Sequence, residues 1–326
     1  MKNYFVINPA AGGGKFFESL SEKIREACHA RGADFDIYAT KKQGDATDFV
    51  REVCQSAQNS DEQISFYSCG GDGTNYEVIS GAVGSDNARV GFIPSGTGND
   101  FIRCFEGKES FSDIGAQLDG GSERIDLLRC NDRYVMNMLN TGFDCEVARK
   151  ASSLKRYPLI SSSMAYIMGV VVELVKKPTT GFKIIADGKE MGEHSPLLLA
   201  TFSNGRFCGG GFKSSPLARL RSGEIDVCLI KNISRAKFVS IVGQYRSGEY
   251  LFNKKLEGLI EYFRAKSVEV DFGRERNICI DGEIFTTSKF KLDILPKALN
   301  IIVPRGAKFA ENEDEGLTSQ PIGAIL

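Results

Sequence analysis

Three short glycine-rich segments near the start of the chain constrain its fold more than any other feature. They are Gly12–Gly14, Gly70–Gly73 and Gly96–Gly98, and each follows a short apolar run typical of a strand. Predicted helices lie between these runs, so strand and helix signals alternate over about the first 105 residues. This alternation predicts a parallel sheet with helices on both faces and right-handed crossovers.

Glycine at such positions has a chemical use as well as a structural one. Ligands of parallel α/β sheets bind beyond the carboxyl ends of the strands, where loops meet helix N-termini. Without a Cβ atom the backbone comes close to a phosphate, and the free N–H groups and helix dipole favour an anion. One glycine cluster is most often only a turn, but three on one sheet predict a polyphosphate site.

The common nucleotide-binding fingerprints are absent when each is checked by position. The P-loop pattern needs a glycine six positions before Lys15, where Pro9 stands. The two G-x-G-x-x-G candidates end on aromatic residues, Tyr76 and Phe101, instead of glycine. The first domain is therefore neither a P-loop NTPase nor a standard dinucleotide-binding fold.

Beyond about Ser122 the pattern changes to short strands separated by turn dipeptides such as Asp281-Gly282. This pattern predicts a mainly antiparallel second domain, a β-sandwich or a barrel-like sheet. We therefore divide the chain into a nucleotide-binding domain at 1–122, a β-rich domain at 123–304 and a tail at 305–326 that is free to return to the first domain.

Bulk composition argues against several classes of protein. With 41 basic and 42 acidic residues the net charge is −1, so no global field holds the chain on nucleic acid. Nine cysteines without a C-x-x-C pair predict reduced thiols in place of disulfides or a zinc site. The N-terminus lacks the apolar region of a secretory leader, so we expect a cytoplasmic protein that is at most peripheral to a membrane.

The most apolar stretch, Leu159–Val175, has 17 residues and is shorter than a membrane span. Its apolar residues recur at helical spacing, and packing on the second domain's sheet is the simpler interpretation. Basic residues on both sides, among them Lys155 and Lys177, also suit a contact with anionic lipid headgroups. Both interpretations stay open.

Five segments together resemble the diacylglycerol kinase catalytic domain family, which includes bacterial lipid kinases, sphingosine kinases and ceramide kinase. In family order they are NPAAGGGK (8–15), GGDGTNYEV (70–78), PSGTGNDF (94–101), GGGFKSSPLARLRSGEIDV (209–227) and IDGE (280–283). One of them alone would be weak evidence, whereas five in order are specific. The resemblance implies an NAD-kinase-like, three-layer α/β first domain in an ATP-dependent lipid kinase.

The resemblance also implies roles for single residues. ATP would be held by Asn8, Thr40, Gly70, Gly71, Asp72, Gly73, Thr74, Asn75 and Thr97. Asp72 would belong to the Mg²⁺–ATP environment, with Asp100 as a weaker partner, because a carboxylate among phosphates needs a cation. Glu283 would be the general base for the lipid hydroxyl, so Glu283 and Asp72 are the catalytic candidates. The two domains would face each other across a cleft, with ATP on the first and lipid over the second.

One loop departs from the family pattern. In the loop before Asp226-Val227 the family usually has Asp-Gly, and this aspartate binds a structural ion together with carbonyl groups of the loop. This chain has Ser222-Gly223 at that position. The remaining candidate ligands are Arg219, Ser222 and Glu224, and either Glu224 or Asp226 would have to replace the lost carboxylate.

Three functions stay open at this point. The first is a kinase that acts on a membrane lipid such as diacylglycerol, a sphingoid base, ceramide or phosphatidylglycerol. The second is an NAD kinase, which shares the GGDGT loop, although the NPAAGG and GTGND segments favour the lipid branch. The third is a regulator that binds lipid or nucleotide with weakened turnover. Short strands also leave sheet edges through which a homodimer could form.

Overall fold

The structure is a computed structural model that describes residues 1–9, 14–58, 62–94, 99–143, 145–147, 149, 182–191 and 196–310. The predicted helix at 159–175, the residue Thr97 and the tail beyond residue 310 lie outside this range. The chain divides into two compact units, of which the first comprises Met1–Asp126 and Pro296–Ala310 and the second comprises Leu127–Leu295.

The first unit contains a parallel sheet and its helices. Its strands are β1 (Lys2–Ile7), β2 (Phe35–Ala39), β3 (Ile64–Gly70), β4 (Ala88–Pro94) and β5 (Phe105–Glu106). Its helices are α1 (Gly14–His29), α2 (Asp45–Ser56), α3 (Asp72–Ala82) and α4 (Ile114–Leu118), with 3-10 turns at Phe101–Cys104 and Lys108–Ser112. The order β4-β3-β1-β2 is parallel throughout.

Helices cover both faces of this sheet because β1 turns apolar side chains to each side in alternation. Phe5 and Ile7 share a buried core with Ile24 of α1. On the other face, the Tyr4 ring contacts the Phe49 ring of α2, with 5.6 Å between their centroids. The α/β class predicted for the first domain is therefore confirmed.

The second unit is mainly antiparallel. Its strands are β6 (Gly121–Cys130), which begins in the first unit, β7 (Arg133–Val135), β8 (Met138–Gly142), β9 (Lys183–Ala186), β10 (Lys189–Met191), β11 (Leu197–Ser203), β12 (Ile225–Lys231), β13 (Ile260–Ala265), β14 (Ser267–Ile280) and β15 (Glu283–Val303), which ends in the first unit. Helix α5 (Arg235–Ser247) and 3-10 turns at Glu249–Phe252 and Lys254–Leu256 follow β12. Strands β13, β12, β11, β8 and β14 pair in that order, and every pair is antiparallel.

Two apolar cores lie on opposite faces of these strands. Ala200 and Phe202 of β11 belong to one core, whereas Leu199 belongs to the other, together with Phe238 and Ile241 of α5. This arrangement confirms the predicted β-rich, antiparallel second domain. All nine cysteines are buried, as expected of thiols that pack as small apolar side chains.

The units divide at other residues than our sequence-based boundaries. We placed residues 296–304 in the second domain, but Ile301 pairs in parallel with Val90 of β4 and so lies in the first unit. The chain then forms β16 (Lys308–Phe309), which pairs with β5 in the same unit. Within the described ranges, no helix is long and apolar enough to cross a membrane.

Candidate functional site

The carboxyl ends of four parallel strands lie at one edge of the first unit's sheet. Ile7 pairs with Ala39 and with Cys69, and Gly70 pairs with Pro94. The chain passes from β1 to β2 on one side and then to β3 on the other, so the strand order reverses between β1 and β3. Doubly wound sheets bind their ligands at this switch point.

Two of the predicted ATP-site residues come directly after strands at this edge. The Asn8 backbone N–H donates to the Cys69 carbonyl over 3.4 Å, and the Thr40 N–H donates to the Ile7 carbonyl over 2.9 Å. These bonds continue the ladder one residue beyond β1 and β2. They therefore place Asn8 and Thr40 at the edge where the strand order reverses.

Strand β3 passes into helix α3 through one linking residue, Gly71, which is extended with φ −102° and ψ −165°. A Cβ atom on Gly70 would lie 2.3 Å from Thr74 Oγ1, so glycine is required below the first turn of the helix. Among the described residues, a Cβ atom on Gly71 would meet nothing within 4 Å, so no described atom crowds this backbone. The N-terminus of α3 can therefore be approached closely, as a phosphate site requires.

Polar contacts hold the first turn of α3 in place. Thr74 and Asn75 are buried, and the Ser68 hydroxyl donates to Asn75 Oδ1 over 2.7 Å. Asp72, the acidic residue of this turn, is half-buried, and so is Gly73. The GGDGTN segment is thus a rigid strand–helix junction with one carboxylate beside the helix N-terminus.

Sequence analysis did not predict a role for Glu77, whose carboxylate joins α3 to the N-terminus of α2. Glu77 Oε1 accepts the Gly44 N–H over 2.9 Å, and Oε2 accepts the Ala46 N–H over 3.1 Å. A carboxylate at the N-terminus of α2 also interacts favourably with the positive end of that helix dipole. The loop that follows Thr40 is thereby fixed to the same helix that carries Asp72.

The third glycine segment is described only at its ends. Pro94 ends β4, and the described chain resumes at Asn99, which is buried. Asp100 Oδ1 lies 3.3 Å from Nε of Arg103, so its carboxylate has a cationic partner on the following 3-10 turn. The part of Asp100 in cation binding stays a prediction.

In the second unit, Asp281 and Gly282 form the two-residue turn between β14 and β15. Their φ angles are 44° and 91°, and the flanking residues Ile280 and Glu283 pair directly. Two positive φ angles are typical of the tight hairpin turns that favour Asp-Gly. Glu283, the predicted base, is thus the first residue of β15 and is half-buried.

Asp281 has a second task that sequence analysis missed. Its Oδ2 accepts the Met136 N–H over 2.7 Å, and its Oδ1 accepts the N–H groups of Asn137 and Met138 over 3.0 and 2.8 Å. Burial raises the pKa of this carboxyl to about 6, although the three backbone bonds act in the opposite direction. Asp281 therefore fixes the turn before Glu283 to the start of β8.

We expect Asp281→Asn to lower the free energy of unfolding at pH 7 by about 1–3 kcal/mol, because an amide nitrogen cannot accept a backbone N–H. The wild-type pKa lies above the ordinary value, so the folded protein holds a proton between about pH 4 and pH 6 that the unfolded chain has lost. The free energy of unfolding of the wild type should therefore decrease as the pH rises from 4 to 6. The Asp281→Asn variant should not show this decrease. Urea denaturation from pH 4 to pH 7 measures both effects.

Asp132→Asn, at a turn residue that is exposed, is the matched control and should change neither value. A wild-type stability that rises relative to Asp281→Asn between pH 4 and pH 6 would contradict the pKa direction. It would mean that the three backbone bonds outweigh burial.

The loop in which an ion was expected is closed by its own serine. The Ser222 hydroxyl donates to the Glu224 carbonyl over 3.1 Å and accepts the Glu224 N–H over 3.2 Å. The Ser222 N–H donates to the Arg219 carbonyl over 3.2 Å. The carbonyl groups of Arg219 and Glu224, which were candidate ligands of the structural ion, thus already accept hydrogen bonds from Ser222.

The neighbouring carboxylate, Asp226, is also engaged. It accepts the Tyr262 hydroxyl and Arg264 Nε, the latter over 3.0 Å. Burial raises the pKa of Asp226 and the Arg264 charge lowers it. Oδ2 of Asp226 has no hydrogen-bond partner among the described residues. However, the described residues contain no group of three or more His, Cys, Asp or Glu side chains that could hold a cation. The residues present therefore do not fit a structural ion well.

We expect removal of divalent cations with EDTA to leave the thermal unfolding midpoint of the protein within about 1 °C of its value with Mg²⁺, since Ser222 closes the loop without a cation. The Ser222→Asp variant restores the family carboxylate, and its midpoint should rise with Mg²⁺. Differential scanning calorimetry without ATP measures both. A wild-type midpoint that falls by several degrees in EDTA would show that an ion binds, with Asp226 Oδ2 as its first candidate ligand.

Two family models match the chain. The diacylglycerol kinase catalytic domain matches residues 2–130, and the YegS C-terminal NAD kinase beta sandwich-like domain matches residues 137–303. The first match contains the strand ends around Asn8 and Gly70, and the second contains the Asp281–Glu283 turn.

Similar proteins are known from several bacteria. The diacylglycerol kinase of Bacillus subtilis is 26% identical over 303 residues, which cover 92% of this chain and 95% of that protein. The diacylglycerol kinase of Mycobacterium tuberculosis strain H37Rv is 28% identical over 310 residues, with 92% and 94% covered. The crystal structure of a diacylglycerol kinase from Bacillus anthracis has a TM-score of 0.65 and 22% identity, and the match covers 92% of this chain and 96% of that one. This last likeness supports the fold.

Proposed function

This chain belongs to the family that joins a diacylglycerol kinase catalytic domain to a YegS-type, NAD kinase β-sandwich-like domain, and from that premise we propose a lipid kinase that transfers the γ-phosphoryl group of ATP to the hydroxyl of a membrane lipid. The observation that carries the proposal is the junction of β3 and α3. It lies at the switch point of the sheet, and no described atom would lie within 4 Å of a Cβ atom on Gly71, which supports access of an anion to this backbone.

The first unit would bind the nucleotide. The N-terminus of α3, with Gly70, Gly71 and Gly73, would approach the phosphates, and Asn8 and Thr40 would border them along the same edge of the sheet. Mg²⁺ would arrive with ATP and supply charge neutralisation, for which one or two protein carboxylates suffice. Asp72 fits as such a carboxylate because it is half-buried at the first turn of α3.

The second unit would supply the base. Glu283 would accept the proton of the lipid hydroxyl while the hydroxyl oxygen forms a bond to the γ-phosphorus of ATP. The bond between the γ-phosphorus and the oxygen that bridges it to the β-phosphorus would break, and ADP would leave. Phosphoryl transfer depends mainly on positioning, so Glu283 would orient the hydroxyl more than ionise it. Asp281 supports this role because its three backbone bonds hold the turn from which Glu283 begins.

The lipid acceptor would be drawn from a bilayer, so we also propose a peripheral contact with the membrane.

The test of the proposed kinase activity is phosphoryl transfer from γ-labelled ATP and Mg²⁺ into detergent-dispersed lipids, with NAD in a parallel reaction. The lipid panel should contain diacylglycerol, ceramide, a sphingoid base and phosphatidylglycerol. We expect label in an organic-extractable product, and chromatography of that product identifies the substrate.

Two other outcomes would replace this proposal. Label in NAD would identify an NAD kinase. ATP binding without transfer to any acceptor would favour a regulator that binds nucleotide or lipid, and the Ser222 loop would then be the first region to restore toward the family sequence.

A further inference from the structure

Helices α2 and α3 both begin near the carboxyl ends of strands, at the edge of the first unit's sheet where the strand order reverses. Their N-cap residues are Gly44 and Gly71, and neither glycine offers a side chain to the first N–H groups of its helix. The N-terminus of α2 is instead capped by Glu77 of α3, whose carboxylate accepts the N–H groups of Gly44 and Ala46. These two N–H groups are therefore occupied, and α3 is the better of the two helices for the phosphates.

The rest of α2 is held against α3 by contacts that do not involve the Glu77 carboxylate. A Cβ atom on Gly81 of α3 would lie 2.7 Å from Cβ of Val50 and 2.8 Å from the Thr47 carbonyl oxygen, so the two helices are in close contact there. The Thr47 hydroxyl also donates to the Glu77 backbone carbonyl over 3.0 Å. Loss of the carboxylate should therefore free the loop before α2 and leave the helix in place.

The loop before α2 comprises residues 40–44 and is mostly exposed. Thr40, at its start, would border the nucleotide along the edge of the sheet. Gly44, at its end, has a left-handed conformation with φ 86°, and its N–H is the group that Glu77 Oε1 accepts. An exposed loop loses conformational freedom when it is fixed, so a charge-assisted hydrogen bond at its end strongly influences how well it is ordered.

We propose that Glu77 is a positioning residue of the nucleotide site, which holds residues 40–44 in the conformation that binds ATP. This inference rests on the proposed function, because it takes ATP as the nucleotide and Thr40 as a residue that borders it. Glu77 itself would touch neither ATP nor the lipid, because both carboxylate oxygens are engaged at the start of α2. It would join the loop that begins at Thr40 to the helix that carries Asp72, so that the two sides of the site are aligned before ATP arrives.

Glu77→Gln should raise the dissociation constant of Mg²⁺–ATP about 10-fold, as measured by isothermal titration calorimetry without lipid, because a loop that is in the binding conformation about a tenth of the time lowers the apparent affinity by the same factor. A glutamine presents one acceptor oxygen and one NH₂ group, so it cannot accept both the Gly44 and the Ala46 N–H. The bond from the Lys41 N–H to Asp45 Oδ2, over 2.8 Å, remains in the variant and limits the loss.

Two further readouts separate positioning from a general loss of structure. Saturating ATP selects the binding conformation, so KM for ATP should rise in Glu77→Gln while kcat changes less than about twofold. Hydrogen exchange in a peptide that spans residues 40–48 should be faster in the variant than in the wild type when ATP is absent. It should return toward the wild-type rate when Mg²⁺–ATP is bound, because ligand binding and loop order are linked reciprocally.

Three further variants test whether the effect belongs to the carboxylate. Thr47→Val removes the hydroxyl that bonds to the Glu77 carbonyl, between the same two helices, and should lower the thermal unfolding midpoint without changing the ATP affinity. Glu52→Gln, at an exposed glutamate on α2, should change neither value. Glu77→Asp keeps the charge on a side chain that is shorter by one carbon, so its ATP affinity should be intermediate. It also serves as the test if Glu77→Gln is too unstable to purify.

The outcomes distinguish this inference from the proposed function. If the wild type binds ATP and the Glu77 variants bind it equally well, the positioning role is overturned and the kinase proposal stands. An equal loss of affinity in Thr47→Val would also overturn the positioning role, because packing of the two helices would then set the affinity. A wild type that binds no ATP would overturn the proposed function and this inference with it.

Discussion

Glu283→Gln is expected to lower kcat for lipid phosphorylation by about 10²- to 10⁴-fold, which is the usual contribution of a positioned acid or base. Glutamine keeps the shape of the side chain and can still accept a hydrogen bond, but it cannot take the hydroxyl proton. Because Glu283 would contact the acceptor and not the nucleotide, KM for ATP should change little. Steady-state rates with the best lipid of the panel, at saturating ATP, measure this effect.

The matched control is Glu275→Gln, at an exposed glutamate on β14 of the same hairpin, and it should remain as active as the wild type. The thermal unfolding midpoints of both variants should equal that of the wild type, since neither carboxylate makes a hydrogen bond with a described residue. Full activity of Glu283→Gln would rule out the general base and leave Glu283 as a strand residue.

Asp72→Ala should lower turnover by a similar factor, about 10² or more, for an electrostatic reason. In the proposed site the phosphates of ATP would be drawn to the N-terminus of α3, and a carboxylate in the same turn would repel them unless a cation lay between. Without Asp72, Mg²⁺–ATP would lose its protein ligand. The Mg²⁺ concentration for half-maximal activity should therefore rise, and a Mg²⁺ titration at fixed ATP measures the shift.

Asp48→Ala is the control for Asp72→Ala because Asp48 is also an acidic residue in the first turn of a helix, α2. Both variants lose the same favourable interaction with a helix dipole, about 0.3–1 kcal/mol. Only Asp72→Ala should lose activity. An equal, small effect of the two substitutions would show that Asp72 serves the helix and not the nucleotide.

The first unit could be predicted closely from sequence because its signals are local. The apolar run Phe35–Ala39, for example, predicts a strand with the same bounds that the structure has. The apolar run at 64–68 predicts a strand that is two residues too short, because Gly70 continues the ladder opposite Pro94. Glycine ordinarily weakens a strand, but here Thr74 packs against the space that a Cβ atom would need.

The second unit was predicted less well, for physical reasons that can be named. The residue pattern of 134–140 predicts one strand, but the segment forms two, β7 and β8, because the N–H groups of Met136 and Asn137 bond to Asp281. The pattern also predicts separate strands at 268–272 and 278–280, but both belong to β14, since the bend at Gly273 is a bulge and not an end. Strand β13 was not predicted at all.

The residues that organise the candidate site were the hardest to predict. Glu77 bonds to Gly44 across 33 positions, and Asp281 bonds to Met136 across 145. Both are carboxylates that satisfy backbone N–H groups far away in the chain, and no local pattern announces such a contact. The Asp-Gly turn alone indicated a hairpin, but nothing beside it indicated that the carboxylate turns inward.

The first unit is closed by Pro296–Ala310, which follow residues 127–295 of the second unit in the chain. A ribosome that makes this protein must therefore finish residues 127–295 before the first unit receives its last strands. A nascent chain stopped before residue 296 carries all three glycine segments of the proposed phosphate site but lacks the β15 residues that pair with β4. The first unit starts before the second and is completed after residue 295, so the proposed ATP binding should appear only when residues 296–310 have left the ribosome.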